Sequence, residues 1–522
     1  MENRKLLENK SCTEEWDISE KRNNLKTTSN EINDTKNLPE MLFWTSNYMD
    51  VVLMNVLDEV FANMEGMSPD ELVSAASEYV DRAVGLSIKP RNLVMIMTSK
   101  PWIELINYYN KIRNYYGFNS LDKWNYIALP KKLNLMTLAD IKSLADLIIK
   151  RYQKELNKRK ELEWIQLTSF FEQATALKLF NLLNEFSVET YKDNSIEVDM
   201  EKVNDKTQQR KILSDFMVVW DMVSLEQSNE ELQKELEEKF DKFDKGNGVI
   251  VRLPRSVSWW GFEKITTKEE ISDFVNNMKL VDWWSNLNNK LTIESSVIWE
   301  DWTSPNVQVY FDGKGNQYVF AITEQILDDY NQHNWNVVLN KENNRELTEK
   351  IEEVTEEIGR KLSNEFFVVW HAWLDFILAK PHNISPWMLR NQEKVKFNVN
   401  NETYYLILCE VNRRINWSYG SAMIYNMFPE FQENYISNLN SVKHSLNDCE
   451  SLDMIHNKII NKLKYQGLLF QPMKKDPEKT YWVYPFAVHR NKIQLVFVAK
   501  NKEHFNKLRE QVDEVLNYNF EE

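Results

Sequence analysis

The sequence predicts an α+β protein that is predominantly α, with an all-α N-terminal half of long helices, a mixed α/β middle section and an α+β C-terminal section. Three observations support this prediction. Residues 131–245 contain neither glycine nor proline, the residues that most disfavour helix interiors. Apolar residues from Leu138 to Tyr152 recur at steps of three and four, as on one buried helical face. Strand-like runs of valine, isoleucine and aromatic residues become frequent only after Gly246.

A chain of 522 residues is too long for a single hydrophobic core, so we expect several packed units. The predicted units are a flexible tail at 1–38, a helical unit at 39–130, a long-helix unit at 131–245, a mixed α/β unit at 246–340, a linking buried helix at 341–393 and a basic α+β unit at 394–522. The tail is polar and holds one aromatic residue, Trp16, so it cannot bury enough surface to order itself.

The N-terminal half is expected to contain helices only. These are predicted at 41–64, 68–84, 101–117, 137–186 and 229–245. Ser68 and Pro69 have the residue types of a helix cap and a first helical position. Thr137 and Asp140 form a similar start signal, and the helix that they begin is continuous to 186 unless the polar run at 153–161 breaks it.

The second half is expected to alternate strands and helices. Strands are predicted at 249–253, 307–311, 317–322, 395–399, 404–411, 480–488 and 493–499, and helices at 345–378, 422–463 and 503–516. The glycine-rich loop at 312–316 favours a hairpin between the second and third of these strands. Residues 210–220 and 360–370 align without gaps with six identities, which indicates either an internal duplication or two buried helices of similar composition.

The net charge of −15 disfavours non-specific binding of nucleic acid by the whole molecule. Two windows are nevertheless basic: residues 456–509 hold twelve Lys and Arg against three acids, and residues 89–132 hold eight against two. Three isolated cysteines predict a reducing, cytoplasmic location. The longest apolar run, 366–379, is too short to span a bilayer, so no membrane association is expected.

The common catalytic and phosphate-binding motifs are missing from the sequence, so it predicts no cofactor and no metal site, and any catalytic residue stays unknown. All histidines lie at or after His333. His371 precedes Asp375 by four residues, which on a helix would give a His-Asp pair or a core histidine bonded to its neighbour. His456 and His489 lie in the basic region and are either phosphate ligands or ordinary surface residues.

Two groups of residues are candidate binding sites. A tryptophan-rich stretch could line an aromatic pocket, although large aromatic side chains belong to a core more often. It comprises Trp259, Trp260, Trp283, Trp284, Trp299 and Trp302. The basic C-terminal unit interleaves cations with aromatic residues, as in proteins that bind single-stranded nucleic acid, although the strand at 480–488 is apolar on both faces. The candidate cations are Lys474, Lys475, Arg490, Lys492 and Lys500.

Long helices and paired tryptophans without a catalytic set predict a non-catalytic assembly or interaction protein, with a protein partner or self-association. The first alternative is a nucleic-acid-binding protein, or a subunit of a DNA- or RNA-acting complex, that uses the two basic windows. The second alternative is a metal-dependent hydrolase with a carboxylate site near Glu300 and Asp301.

Overall fold

The structure is a computed structural model, and its described residues fall into ranges distributed along the whole chain. These are 48–53, 92–97, 103–129, 136–158, 164–169, 178–179, 181–183, 205–244, 246–252, 262–278, 290–297, 303–312, 317–327, 333–365, 369–412, 418–444, 452–471, 481–488 and 492–517. Within these ranges the strands form three sheets, of four, nine and four strands.

The first sheet is parallel and lies in the N-terminal part of the chain. Its strands are β1 (Tyr48–Leu53), β2 (Asn92–Met97), β3 (Tyr126–Ala128) and β4 (Trp164–Ser169), and the described residues of this region include helices α1 (Ile103–Tyr115) and α2 (Leu138–Lys158). The strand order is β3-β2-β1-β4. Helix α2 buries Ile141, Leu144 and Ile148 in the core of this sheet, which is the face that its three-and-four spacing predicts.

The second sheet is small and antiparallel, with the order β5-β8-β6-β7. Its region contains α3 (Lys206–Ile212), β5 (Trp220–Ser224), α4 (Asn229–Phe243), β6 (Val249–Arg252), β7 (Phe262–Ile265), α5 (Glu269–Met278) and β8 (Lys290–Ser295). Helices α4 and α5 supply the apolar residues that pack on one face of the sheet. Gly248 has a positive φ of 77°, and a Cβ there would lie 2.3 Å from the Ile265 carbonyl oxygen, so the turn into β6 requires glycine.

The third sheet is antiparallel and has the order β13-β14-β12-β9-β10-β11-β15-β17-β16. Its strands are β9 (Ser304–Asp312), β10 (Gln317–Leu327), β11 (His333–Val338), β12 (Val369–Ala379), β13 (Lys396–Val399), β14 (Glu402–Asn412), β15 (Tyr435–Lys443), β16 (Trp482–Val488) and β17 (Lys492–Ala499). Its helices are α6 (Arg345–Glu365), α7 (Gln392–Val395), α8 (Tyr419–Met427), α9 (Leu452–Tyr465) and α10 (Lys502–Asn517). Short 3-10 turns lie at Lys123–Asn125, Ser214–Phe216, Pro381–Asn383, Pro386–Met388 and Pro429–Phe431.

Two cores stabilise the third sheet. One contains Ile351, Val354 and Ile358 of α6 together with inward residues of β9, β12 and β14. The other combines residues of α1, α8, α9 and α10 with β15, β16 and β17. Helix α1 is bonded to this second core, because the Tyr109 hydroxyl donates to the Pro485 carbonyl oxygen at 2.5 Å.

The prediction of an all-α N-terminal half, and of a predominantly α protein, is wrong. Strands β1 to β5 lie before residue 246, and the helix that begins at Leu138 ends at Lys158 rather than at 186. The absence of glycine and proline from residues 131–245 permits a helix but does not require one. Strand β4 pairs in parallel with β1, more than a hundred residues earlier, and such long-range pairing overrides local propensity.

Two helices of the second half were predicted too long. The helix predicted at 345–378 ends at Glu365 and is followed by β12, and β15 interrupts the helical segment predicted at 422–463. A central strand buried on both faces reads as a continuous apolar run, which periodicity cannot distinguish from a buried helix.

Elements with strong local signals are confirmed. The hairpin pairs Val309 with Val319 across the glycine-rich loop, and α4 begins with a capping box in which Ser228 accepts from the Glu231 backbone N–H. The strand predicted at 249–253 and the closing helix are also present. The duplication of 210–220 and 360–370 stays a prediction. Among the described helices, none is long and apolar enough to cross a membrane.

Candidate functional site

A group of buried polar side chains lies where helix α3 meets both the small sheet and the large sheet. Helix α3 contributes cations, β6 and β8 contribute an arginine and a glutamate, and β9, β10, β12 and β14 contribute carboxylates and amides. The residues are Lys206, Arg210, Arg252, Glu294, Asn306, Gln308, Gln325, Asp375, Glu410 and Asn412.

Asp375, on β12, accepts hydrogen bonds at both carboxylate oxygens. Its Oδ1 accepts from the side-chain amides of Asn306 at 2.6 Å and Gln325 at 2.5 Å. Its Oδ2 accepts from the Trp373 indole N–H at 2.7 Å and from the Asn412 amide at 3.0 Å. The neighbouring strands therefore fix the position and orientation of this carboxylate.

Glu410 lies directly opposite Asp375 in the β12–β14 register. Its Oε1 accepts from the Asn412 amide at 2.7 Å, and its Oε2 lies 2.7 Å from the Lys206 ammonium nitrogen. The Glu410 side chain keeps 17% of its surface exposed, so a ligand can reach it. We call Asp375, Glu410 and Asn412 the carboxylate cluster; its defining feature is that one amide nitrogen, Asn412 Nδ2, bonds both carboxylates.

The two carboxylates titrate in opposite directions. Burial, and then the negative charge of Glu410, raises the pKa of Asp375 to about 6. Burial works against the ionised form of Glu410 as well, yet the charges of Lys206 and Arg252 hold its pKa well below the ordinary value. Two negative charges that share one hydrogen-bond donor and are largely shielded from water repel each other. The cluster is therefore electrostatically suited to an added cation.

A second group, the arginine cluster, consists of Arg210, Arg252 and Glu294. Glu294 Oε2 accepts from Arg210 Nε at 2.8 Å and Nη2 at 2.5 Å, and its Oε1 accepts from Arg252 Nε at 2.6 Å. Burial opposes ionisation of Glu294, but the two guanidinium charges lower its pKa overall. This cluster joins α3 to the small sheet through charge-assisted bonds.

Backbone positioning around the carboxylate cluster depends on Gln209 of α3. Its side-chain amide donates to the Val411 carbonyl oxygen at 2.6 Å and accepts from the Val411 N–H at 3.0 Å. Val411 lies between Glu410 and Asn412, so this pair of bonds fixes the strand at the residue between the two polar side chains. Gln209 is fully buried.

The donor set of the carboxylate cluster suits a hard divalent cation. Asn412 Nδ2 lies between the two carboxylates, and rotating the amide by 180° would place its oxygen there instead. Two carboxylates and an amide oxygen are ligands of the type that Mg²⁺ takes, usually with further oxygens from water or phosphate. Among the described residues, no group of three or more His, Cys, Asp or Glu side chains could hold a metal ion, so the protein supplies only part of such a ligand shell.

Most of the binding residues predicted from the sequence lie outside the described part of the chain. All six tryptophans of the predicted pocket, together with Glu300 and Asp301, lie outside the described residues, as do Lys474, Lys475 and Arg490. Lys492 is part of β17, and Lys500 is exposed at the end of that strand.

The strand at 482–488 is buried, as its two apolar faces indicate, and it is not an open aromatic platform for nucleic acid. Trp482, Tyr484 and Phe486 are buried in the core, and Tyr484 stacks on Phe470 with ring centroids 4.5 Å apart. They hold α1 and α9 against β16 and cannot stack exposed bases.

The histidine hypotheses also change. His371 and Asp375 lie on strand β12 rather than on a helix, so residues four apart are separated by about 13 Å along the strand. His456 is buried and hydrogen-bonds the Val488 carbonyl oxygen at 3.0 Å, and burial lowers its pKa to about 4. It is a core residue, while His489 lies outside the described part of the chain.

Sequence reasoning missed Glu410 and Asn412 and assigned the wrong element to Asp375. A usable signal was present: each carboxylate has apolar neighbours on both sides in its strand, in the sequences Leu-Asp375-Phe and Cys-Glu410-Val. Buried charges are rarely retained without a partner or a ligand, so such positions favour function.

Comparison with known proteins gives only weak likenesses. No family model and no curated protein matches the sequence. N5-carboxyaminoimidazole synthetase from Staphylococcus aureus is 9% identical with a TM-score of 0.44, covering 90% of this chain and 97% of that one. L-amino acid ligase from Bacillus licheniformis is 10% identical (TM-score 0.41; 91% and 98% covered), and the biotin carboxylase domain of Hydrogenobacter thermophilus 2-oxoglutarate carboxylase is 12% identical (0.43; 86% and 86%). At these values the likenesses carry no argument about fold or function.

The prediction of a non-catalytic assembly protein is wrong. It depended on long helical rods and on the lack of any catalytic set. The structure has three sheets instead, and two of them enclose carboxylates and cations in a partly accessible site. Neither the assembly function nor the nucleic-acid alternative is retained.

Proposed function

We propose that this protein is an enzyme that binds a phosphate compound, such as a nucleoside triphosphate, together with Mg²⁺ at the carboxylate cluster. The observation that carries this proposal is the pair Asp375 and Glu410, two half-buried carboxylates bonded by a single amide nitrogen of Asn412. The cytoplasmic location expected from the isolated cysteines belongs to the same proposal.

The cation is held by Glu410 first. Each of its oxygens accepts one bond from a protein donor and can accept another, whereas Asp375 is bonded by four donors. Binding at Asp375 therefore requires the Asn412 amide to rotate or withdraw. When bound, Mg²⁺ would supply the positive charge next to both carboxylates where the Asn412 amide hydrogens now bond them.

Phosphate is the anion that best suits the surroundings. Lys206 and Arg252 lie beside Glu410, and Arg252 retains 14% exposure of its side chain at the edge of the arginine cluster. Mg²⁺ is commonly bound by one or two carboxylates together with substrate phosphate oxygens. When bound, the metal would supply charge neutralisation of the phosphate. Lys206 and Arg252 would orient the same group, and orientation and electrostatics dominate catalysis of phosphoryl transfer.

Isothermal titration calorimetry with MgADP and MgATP tests the proposal. Wild-type protein is expected to bind, and Glu410→Gln is expected to weaken binding by at least about tenfold, the scale of ligand-shell losses at metal sites. Glu402→Gln is the matched control, because Glu402 is an exposed glutamate at the start of the same strand. Absence of binding to wild type, or equal affinity of Glu410→Gln and Glu402→Gln, would overturn the proposal.

A further inference from the structure

Several polar side chains of the large sheet have buried atoms without a hydrogen-bond partner. Within the described part of the chain, the Thr323 hydroxyl, both polar atoms of the Asn336 side chain and the Gln494 amide nitrogen have no hydrogen-bond partner. Each of these residues is at most 1% exposed. Buried polar groups in proteins are almost always bonded to protein or water, so an amide with neither of its atoms bonded indicates a missing molecule.

These residues lie on the same sheet face as the carboxylate cluster. Asn336 is directly opposite Gln325, whose amide donates to Asp375, and Thr323 is directly opposite Asn306, which donates to the same carboxylate. Directly opposed residues of antiparallel strands point to the same face with Cβ atoms about 5 Å apart. The row continues from Asn336 to Asn438 on β15 and reaches Gln494 on β17.

The chemistry of this row is uncharged. Its described members are amides and a hydroxyl, which both donate and accept hydrogen bonds, whereas the cations Lys206, Arg210 and Arg252 all lie at the β14 end of the site. An anion would find no countercharge among Thr323, Asn336 and Gln494, and its burial there would be unfavourable. A neutral group that pairs with an amide would satisfy both atoms of Asn336 at once.

We propose that Thr323, Asn336 and Gln494 form a second binding site, for an uncharged ligand that presents a carboxamide or a nucleobase edge. The site begins on β10, two residues from the Gln325 amide that bonds Asp375, and extends across β11 and β15 to β17. If the proposed function is correct, the uncharged ligand would react with the bound phosphate compound, and this role rests on the proposed function. Binding of the uncharged ligand at this site does not depend on it.

Ligand-detected NMR with matched neutral and charged probes tests this site. The probes are nicotinamide against nicotinate, and uracil against orotate. Saturation transfer to at least one neutral probe, with at least tenfold less to its charged counterpart, is expected for wild type. Asn336→Leu should abolish that transfer, and Glu410→Gln should leave it unchanged. No transfer to any neutral probe, or transfer that persists in Asn336→Leu, would overturn the proposal.

The stability of the ligand-free protein provides a second, independent measurement. Replacing a bonded buried amide by leucine is unfavourable, whereas replacing one that has no partner removes a desolvation cost. Asn336→Leu should therefore keep or raise the melting temperature, while Gln209→Leu, which removes two bonds to Val411, should lower it. If Asn336→Leu lowers the melting temperature as much as Gln209→Leu does, the Asn336 amide is already bonded and the site is refuted. MgADP binding is measured on the same samples, so failure of the proposed function would be recognised separately.

Discussion

The arginine cluster and the carboxylate cluster lie side by side, yet their charges are arranged in opposite ways. In the arginine cluster one carboxylate, Glu294, is shared by two guanidinium groups, and burial is compensated by three charge-assisted bonds. In the carboxylate cluster two acids face each other and share one neutral amide, so one of them has a raised pKa. The first arrangement stabilises the fold. In the second, Lys206 pairs with Glu410 but Asp375 is bonded only by neutral donors, and in our proposal a cation supplies the further positive charge.

This contrast distinguishes buried charges that stabilise the fold from buried charges that serve a binding site. A buried ion pair whose charges are balanced within the protein requires no ligand. Removing one member leaves an unpaired buried charge, which lowers the free energy of unfolding. A pair of like charges persists only where the surroundings force it, which is a feature of functional sites. The same physical measurement, stability after a conservative substitution, should therefore distinguish the two clusters.

The largest expected effect is on the arginine cluster. Glu294→Gln leaves Arg210 and Arg252 buried beside each other without their shared carboxylate, so we expect a loss of about 3–5 kcal/mol in the free energy of unfolding. Urea denaturation at neutral pH measures this. Asp241→Asn is the control, since Asp241 pairs with Lys268 at the surface and should cost less than about 1 kcal/mol. A loss from Glu294→Gln no larger than that of the control would show that the cluster is not structural.

A smaller effect is expected from His456, a buried titratable group outside both clusters. Its folded pKa of about 4 lies below the ordinary value of 6.5, so its contribution to stability is present above pH 6.5 and is lost as the pH falls toward 4. Between pH 7 and pH 5 the wild type should lose about 2 kcal/mol relative to His456→Gln, which cannot take up the proton. Denaturant titrations of both proteins at the two pH values measure the difference. Parallel pH profiles would show that His456 is solvated.

The smallest of these effects concerns Asp375 and has the opposite sign. Its folded pKa of about 6 lies above the ordinary value of 3.8, so its stabilising contribution is complete below pH 3.8 and is lost as the pH rises through 6. From pH 7 to pH 5 the ligand-free wild type should gain about 1 kcal/mol relative to Asp375→Asn. The same denaturant titrations measure it. A wild type that instead weakens relative to Asp375→Asn over this range would contradict the repulsion on which the comparison depends.

The sequence predicted those elements whose signals are local. Helix α4 has a capping box, the β9–β10 hairpin has its glycine-rich loop, and α10 has a clear apolar stripe, so each was placed correctly. Strands β4, β12 and β15 were missed because they are specified by partners far away in the chain. The apolar run of β12 also resembles a buried helix when its partner strands are unknown.

The site could be predicted only in fragments. Asp375 was singled out, but it was assigned to a helix and paired with His371, because the chain gives no sign that β12 and β14 are neighbours. Asp375 and Glu410 are neighbours because of the register between β12 and β14, and this register could not be predicted from the sequence. Lys206 and Arg210 lie within the predicted long-helix unit at 131–245, yet their roles depend on β14 and β8, which lie far along the chain.

Electron paramagnetic resonance of Mn²⁺, used in place of Mg²⁺, tests the central claim most directly. Titration of the wild type in the presence of ADP should show Mn²⁺ bound at one site per chain. Glu410→Gln should reduce the affinity for Mn²⁺ by at least about tenfold, and Glu402→Gln should leave it unchanged. Wild-type protein that leaves all of the Mn²⁺ in solution, or a Glu410→Gln variant that binds it equally well, would contradict the assignment of the carboxylate cluster as a cation site.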